Sequence, residues 1–81
     1  MNEKTKVLVV DDDRRKVKTV CDILKVKGFD ALQAYTGEEA VERVRSDGPD
    51  CVLMDIRIPG MSGVDALRMI KDISPDLPVV L

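Results

Sequence analysis

Three aspartates in a row, Asp11-Asp12-Asp13, close the apolar run Val7-Leu8-Val9-Val10, and a fourth, Asp55, closes a second run, Cys51-Val52-Leu53-Met54. Carboxylates at two strand ends can act together when the strands are neighbours, because parallel strands share one C-terminal edge, where open α/β sheets carry their sites. Asp11, Asp12 and Asp55 would then lie close to one another. Ionised without a partner they would repel, so that at least one pKa rises or a cation is required. An all-oxygen set open to water suits Mg²⁺, which takes one or two carboxylates and keeps several waters. A plainer reading competes, since aspartates after a strand often cap the next helix or sit in a solvated turn. The second strand-ending aspartate and the Pro59-Gly60 loop behind it favour the site.

The elements that would hold these carboxylates follow from apolar spacing. Both apolar runs are continuous, as in strands buried on both faces of a parallel sheet. Val17, Val20, Cys21 and Leu24 fall at i, i+3, i+4 and i+7 within Arg14 to Lys27, an amphipathic helix capped by Asp13 and ended by Gly28. Phe29 to Ala34 reads as a weaker strand, diluted by Asp30 and Gln33 and placed at a sheet edge. Thr36-Gly37-Glu38-Glu39 has the spacing of a capping box, and Ala40, Val41 and Val44 form a narrow stripe on a short helix broken by Ser46-Asp47-Gly48-Pro49. Ile56 to Gly63 is a loop. Ser62 caps a third helix, whose Val64, Leu67 and Ile70 are expected to face inward together with Ala66, Met69 and Ile73. Val79-Val80-Leu81 begins a fourth strand. The alternation β-α-β-α-β-α-β implies right-handed crossovers and a parallel sheet with helices on both faces.

With 81 residues the chain is a single small domain, 1–81, and 44 % apolar residues at a net charge of −2 exclude a disordered chain. One Tyr, one Phe and no Trp leave an aliphatic core. No apolar run reaches the roughly 20 residues of a membrane span, and Met1-Asn2-Glu3-Lys4 is no signal peptide, so a soluble, cytoplasmic protein is expected. Scattered positive charge offers no nucleic-acid footprint. Cys21 and Cys51, without CxxC spacing or any His, read as two reduced, buried thiols.

Val7-Leu8-Val9-Val10-Asp11-Asp12-Asp13 together with Asp55-Ile56-Arg57-Ile58-Pro59-Gly60-Met61-Ser62-Gly63 resembles the receiver domain of two-component response regulators, and the resemblance extends over essentially the whole chain. It implies a flavodoxin-like, doubly wound parallel sheet of order 2-1-3-4, with the fifth strand and last helices missing. It also implies a phosphoacceptor that takes a phosphoryl group from the phosphohistidine of a sensor histidine kinase onto Asp55 and works as a signalling switch. By similarity Asp12 would bind Mg²⁺ directly, Asp11 largely through a coordinated water, and Asp55 would be both ligand and nucleophile. Arg57 would lend the metal only its backbone carbonyl, in a loop shaped by Pro59, Gly60 and Gly63. Self-catalysed phosphorylation and dephosphorylation would be weak at most.

Ile58 and Ser62 stand where Met and Asp are common in the family, and neither change removes a site atom. The family's hydroxyl residue ending the fourth strand and its lysine ending the fifth lie beyond Leu81, so a domain truncated at its C-terminus is expected, with poor phosphorylation. Such a chain could serve only as an assembly or structural unit. Its exposed strand edge and thinly covered sheet lead to the expectation of self-association, or of completion by a C-terminal half or an effector domain. A phosphohydrolase of the haloacid-dehalogenase type is the remaining alternative, because Asp11-Asp12-Asp13 formally satisfies its Asp-x-Asp pattern. The Gly and Thr that surround such motifs are missing.

Overall fold

The computed structural model describes residues 4–55, 57 and 62–81. Four strands, β1 (Lys6–Val10), β2 (Asp30–Ala34), β3 (Cys51–Met54) and β4 (Val79–Val80), alternate with three helices, α1 (Arg14–Val26), α2 (Gly37–Asp47) and α3 (Gly63–Ile73). All strand pairs are parallel and the sheet order is β2-β1-β3-β4, so β2 takes the edge expected of it. The two most apolar strands, β1 and β3, lie side by side at the centre, where both of their faces can be covered.

Alternation along the strands divides the core in two. Leu8, Val10, Val52 and Met54 point to one face and pack with Ala40, Val41 and Val44 of α2 and Ala66 and Ile70 of α3. Val7 and Val9 point to the other face and meet Val17 and Cys21 of α1, with Cys51 and Leu53 half-buried beside them. Two helices therefore cover one face and one helix the other. The open part of the second face is a groove of about 410 Å³ whose lining includes Val9, Val20, Leu53, Val80 and Leu81.

Each helix starts where a short polar side chain can take an otherwise unpaired N–H. Asp13 accepts from the backbone N–H of Arg15 at 3.0 Å and of Lys16 at 3.4 Å, Thr36 Oγ1 from Glu39 at 3.1 Å, and Ser62 Oγ from Asp65 at 3.1 Å. Gly28 follows α1 at φ 92° and Gly48 closes α2 at φ 57°, left-handed values that favour glycine. After α3, the Lys71 ammonium donates to the carbonyl of Leu77, tying the turn that leads into β4 to the helix.

The inward face of α3 differs from the expected one. Ala66 and Ile70 are buried and Leu67 and Ile73 half-buried, but Val64 is 53 % and Met69 37 % exposed. A stripe containing all six residues would span more of the helix than the sheet and α2 can cover. Close packing selects Ala66 and Ile70, one turn apart, as its centre line. The thiols differ from each other as well: Cys21 is buried, whereas Cys51 is only half-buried. Burial pushes the Cys21 thiol above its usual pKa, away from reactive thiolate character.

Candidate functional site

Strand register brings the acidic residues together. Val10 of β1 pairs with Met54 of β3, so the next residues, Asp11 and Asp55, leave the sheet at the same level. Two backbone hydrogen bonds extend the ladders past the strand ends: Asp55 N–H donates to the Val10 carbonyl at 3.0 Å, and Asp11 N–H to the Ala34 carbonyl at 3.2 Å. The backbone of both residues is thereby fixed to the sheet. Asp11, Asp12 and Asp55 each offer a carboxylate oxygen, and the three oxygens lie within 4.8 Å of one another.

Their surroundings differ. Asp11 is buried, at 7 % exposure, Asp55 is half-buried and Asp12 faces solvent. Asp11 Oδ1 accepts the Asp13 N–H at 3.0 Å, and Asp11 Oδ2 lies 3.4 Å from Lys16 Nζ. Burial is the largest single influence on the Asp11 carboxyl and would raise its pKa. Against it stand the Asp13 N–H and the Lys16 charge, and the group is held below the usual 3.8. Asp55 Oδ1 accepts the Arg57 N–H at 2.9 Å, and Arg57 Nε stands 3.6 Å away. Nearby in the chain, the Arg14 guanidinium lies 4.1 Å from the ring centre of Tyr35, joining the start of α1 to the residue that follows β2.

Of the expected site residues, the fold brings Asp11, Asp12 and Asp55 together, sets Arg57 beside Asp55 and buries Gly63 at the start of α3. Pro59 and Gly60 lie outside the described residues. Sequence reasoning passed over the side chains of Lys16 and Arg57, which face the carboxylates. Lys16 carried a usable signal, because side chains in the first turn of a helix lean back toward its N-terminus and here toward the strand end.

A doubly wound sheet with three carboxylates at the C-terminal ends of its central strands accords with the sequence comparisons. Residues 7–81 match the response regulator receiver domain. The chain belongs to that family. Among relatives, the autoinducer 1 sensor kinase/phosphatase LuxN of Vibrio campbellii is 40 % identical over 79 residues, covering 98 % of this chain and 9 % of LuxN. The response regulator MprA of Mycobacterium ulcerans is 33 % identical over 76 residues, covering 94 % of this chain and 33 % of MprA. The N-terminal domain of a response regulator/sensory box/GGDEF three-domain protein from Carboxydothermus hydrogenoformans superposes with a TM-score of 0.83 at 45 % identity, covering 93 % of this chain and 61 % of that one. This receiver domain chain thus spans a small part of the curated relatives it matches and under two thirds of that solved domain. The chemotaxis response regulator CheY4 of Vibrio cholerae shares the fold, with a TM-score of 0.89. Membership supports a place in two-component signalling, and no helix among the described residues is long and apolar enough to cross a membrane.

Proposed function

We propose that this receiver domain accepts a phosphoryl group from the phosphohistidine of a sensor histidine kinase onto Asp55, in a Mg²⁺-dependent reaction, and that the phosphorylated domain is a signalling state read by an effector. The observation that carries this reading is the meeting of the Asp11, Asp12 and Asp55 oxygens within 4.8 Å. The donor set fits the metal: three hard oxygens, one on a buried residue and one on an exposed residue, leave positions for solvent. Asp11, Asp12 and Asp55 would hold Mg²⁺ with the Arg57 carbonyl, and the bound ion would supply charge neutralisation for the phosphoryl oxygens.

The protein's own residues have distinct tasks. An Asp55 oxygen attacks phosphorus in line; the new O–P bond forms as the N–P bond of the phosphohistidine breaks, and the released imidazole takes up a proton. Phosphoryl transfer depends on positioning more than on covalent help, and the hydrogen bonds from Asp55 N–H to Val10 and from Arg57 N–H to Asp55 Oδ1 hold the nucleophile. Asp11, pinned by Asp13, keeps its charge beside the reacting oxygen. A cytoplasmic location follows from a kinase donor of this kind.

Incubation with acetyl phosphate and Mg²⁺, followed by intact-mass and fragment analysis, tests the assignment. One phosphoryl group on Asp55, absent in Asp55→Asn and lost when EDTA is added, is the expected result. Labelling at another residue, or equal labelling with EDTA, would reject it.

A second reading, a structural unit that self-associates, is favoured by the open groove and by Val80 and Leu81, both exposed beside it. Strand β4 lies at a sheet edge, where unpaired backbone groups can template another strand.

A further inference from the structure

We propose that Lys16 is a tethered counter-cation of the acid cluster, which competes with the divalent ion and sets its affinity below what the three carboxylates alone would give. The inference rests on the reading of that cluster as a divalent-cation site. Lys16 lies in the first turn of α1, and its ammonium stands 3.4 Å from Oδ2 of Asp11, the most deeply buried of the three acids.

Asp11 Oδ1 is already engaged by the Asp13 N–H, so Oδ2 is the oxygen with capacity to spare, and it is the one that Lys16 faces. An incoming divalent ion meets that oxygen partly neutralised and a like charge on the flexible stem beside it. Lys16 is also well placed to yield, since its side chain is 57 % exposed and can swing into water. Arg57 stands in a similar relation to Asp55, with Nε at 3.6 Å, but its backbone N–H binds the same oxygen, so its charge is the less separable of the two. The exchange of a tethered monovalent charge for a free divalent one makes metal loading weaker and less sensitive to salt than the acid count suggests.

Mg²⁺ titration of the 81-residue chain, followed by the amide shifts of Asp12, Asp55 and Arg57, tests this without reference to phosphorylation. Lys16→Gln is expected to tighten Mg²⁺ binding about two- to five-fold, the scale of an exposed ion pair. Lys16→Glu should tighten it further and Lys16→Arg should leave it near wild type. Lys18→Gln, whose parent pairs with Asp22 at 2.8 Å, serves as the control and should change nothing. The Lys16 effect should shrink as KCl is raised. Equal affinity in wild type, Lys16→Gln and Lys16→Glu overturns the inference while leaving the metal site in place. Weaker binding in Lys16→Gln overturns it as well, for Lys16 would then be organising the carboxylates. Absence of any Mg²⁺ response in wild type and in all variants removes both the site reading and the inference. If Lys16→Gln fails to fold, the Lys16→Arg and Lys16→Glu pair decides, because the two differ in the sign of the charge.

Discussion

Asp11 holds its carboxylate against the backbone of Asp13, the residue two positions on, by a 3.0 Å hydrogen bond from the Asp13 N–H to Asp11 Oδ1. The contact turns a buried acid toward the cluster and favours its ionised form. Because the folded-state pKa of Asp11 lies below the usual value, folding favours the charged group. Its contribution to stability is complete above the unfolded pKa and is lost as the pH falls through the folded one. In metal-free buffer, wild type should therefore lose stability in the acid range more steeply than Asp11→Asn. Urea midpoints recorded against pH check this, and parallel curves for the two proteins would contradict it.

The side chain of Asp13 serves the helix rather than the cluster. Its side chain accepts from Arg15 and Lys16 at the start of α1, whereas its own N–H serves Asp11. Asp13→Ala removes the first role and keeps the second. The expected result is a loss of about 1 kcal/mol, the usual cost of a missing cap, with the Mg²⁺ response retained. Chemical denaturation and metal titration of the same variant report both halves.

Helix α3 separates two aliphatic residues that look alike in the sequence. Ile70 is fully buried among Leu8, Val52 and Ala66, and Ile70→Ala should cost about 2 to 5 kcal/mol through lost transfer energy and a residual cavity. Val64 projects into solvent, and Val64→Ala should stay within about 0.5 kcal/mol. Denaturant midpoints of the two variants in parallel would show the contrast, and similar losses would mean that the helix packs in a different rotation.

The groove on the α1 side of the sheet gives an expectation for the 81-residue chain in solution. With Val80 and Leu81 exposed next to Leu53 and Val20, sedimentation velocity should show concentration-dependent self-association. Val80→Lys, which charges an edge strand, should favour the monomer. A wild-type chain that remains monomeric at all concentrations would rule this contact out.

Much of this protein is determined within short stretches of its chain. The caps at Asp13, Thr36 and Ser62 need partners only two or three residues away, and the left-handed glycines at 28 and 48 end helices by local geometry. Strands β1 and β3 are legible as continuous apolar runs, and the aspartates that close them mark the acidic edge before any strand order is known. Other features exist only because distant segments meet. That Val64 and Met69 turn outward depends on how much of α3 the sheet and α2 can cover, a question of packed volume that a helical period leaves open. The approach of Asp55 to Asp11 depends on the Val10 to Met54 register, set by backbone hydrogen bonds between strands more than forty residues apart in the chain. The side chains of Lys16 and Arg57 reach the cluster for a related reason. A long cationic side chain has many accessible rotamers in an isolated segment, and the field of carboxylates brought together by the tertiary fold selects among them.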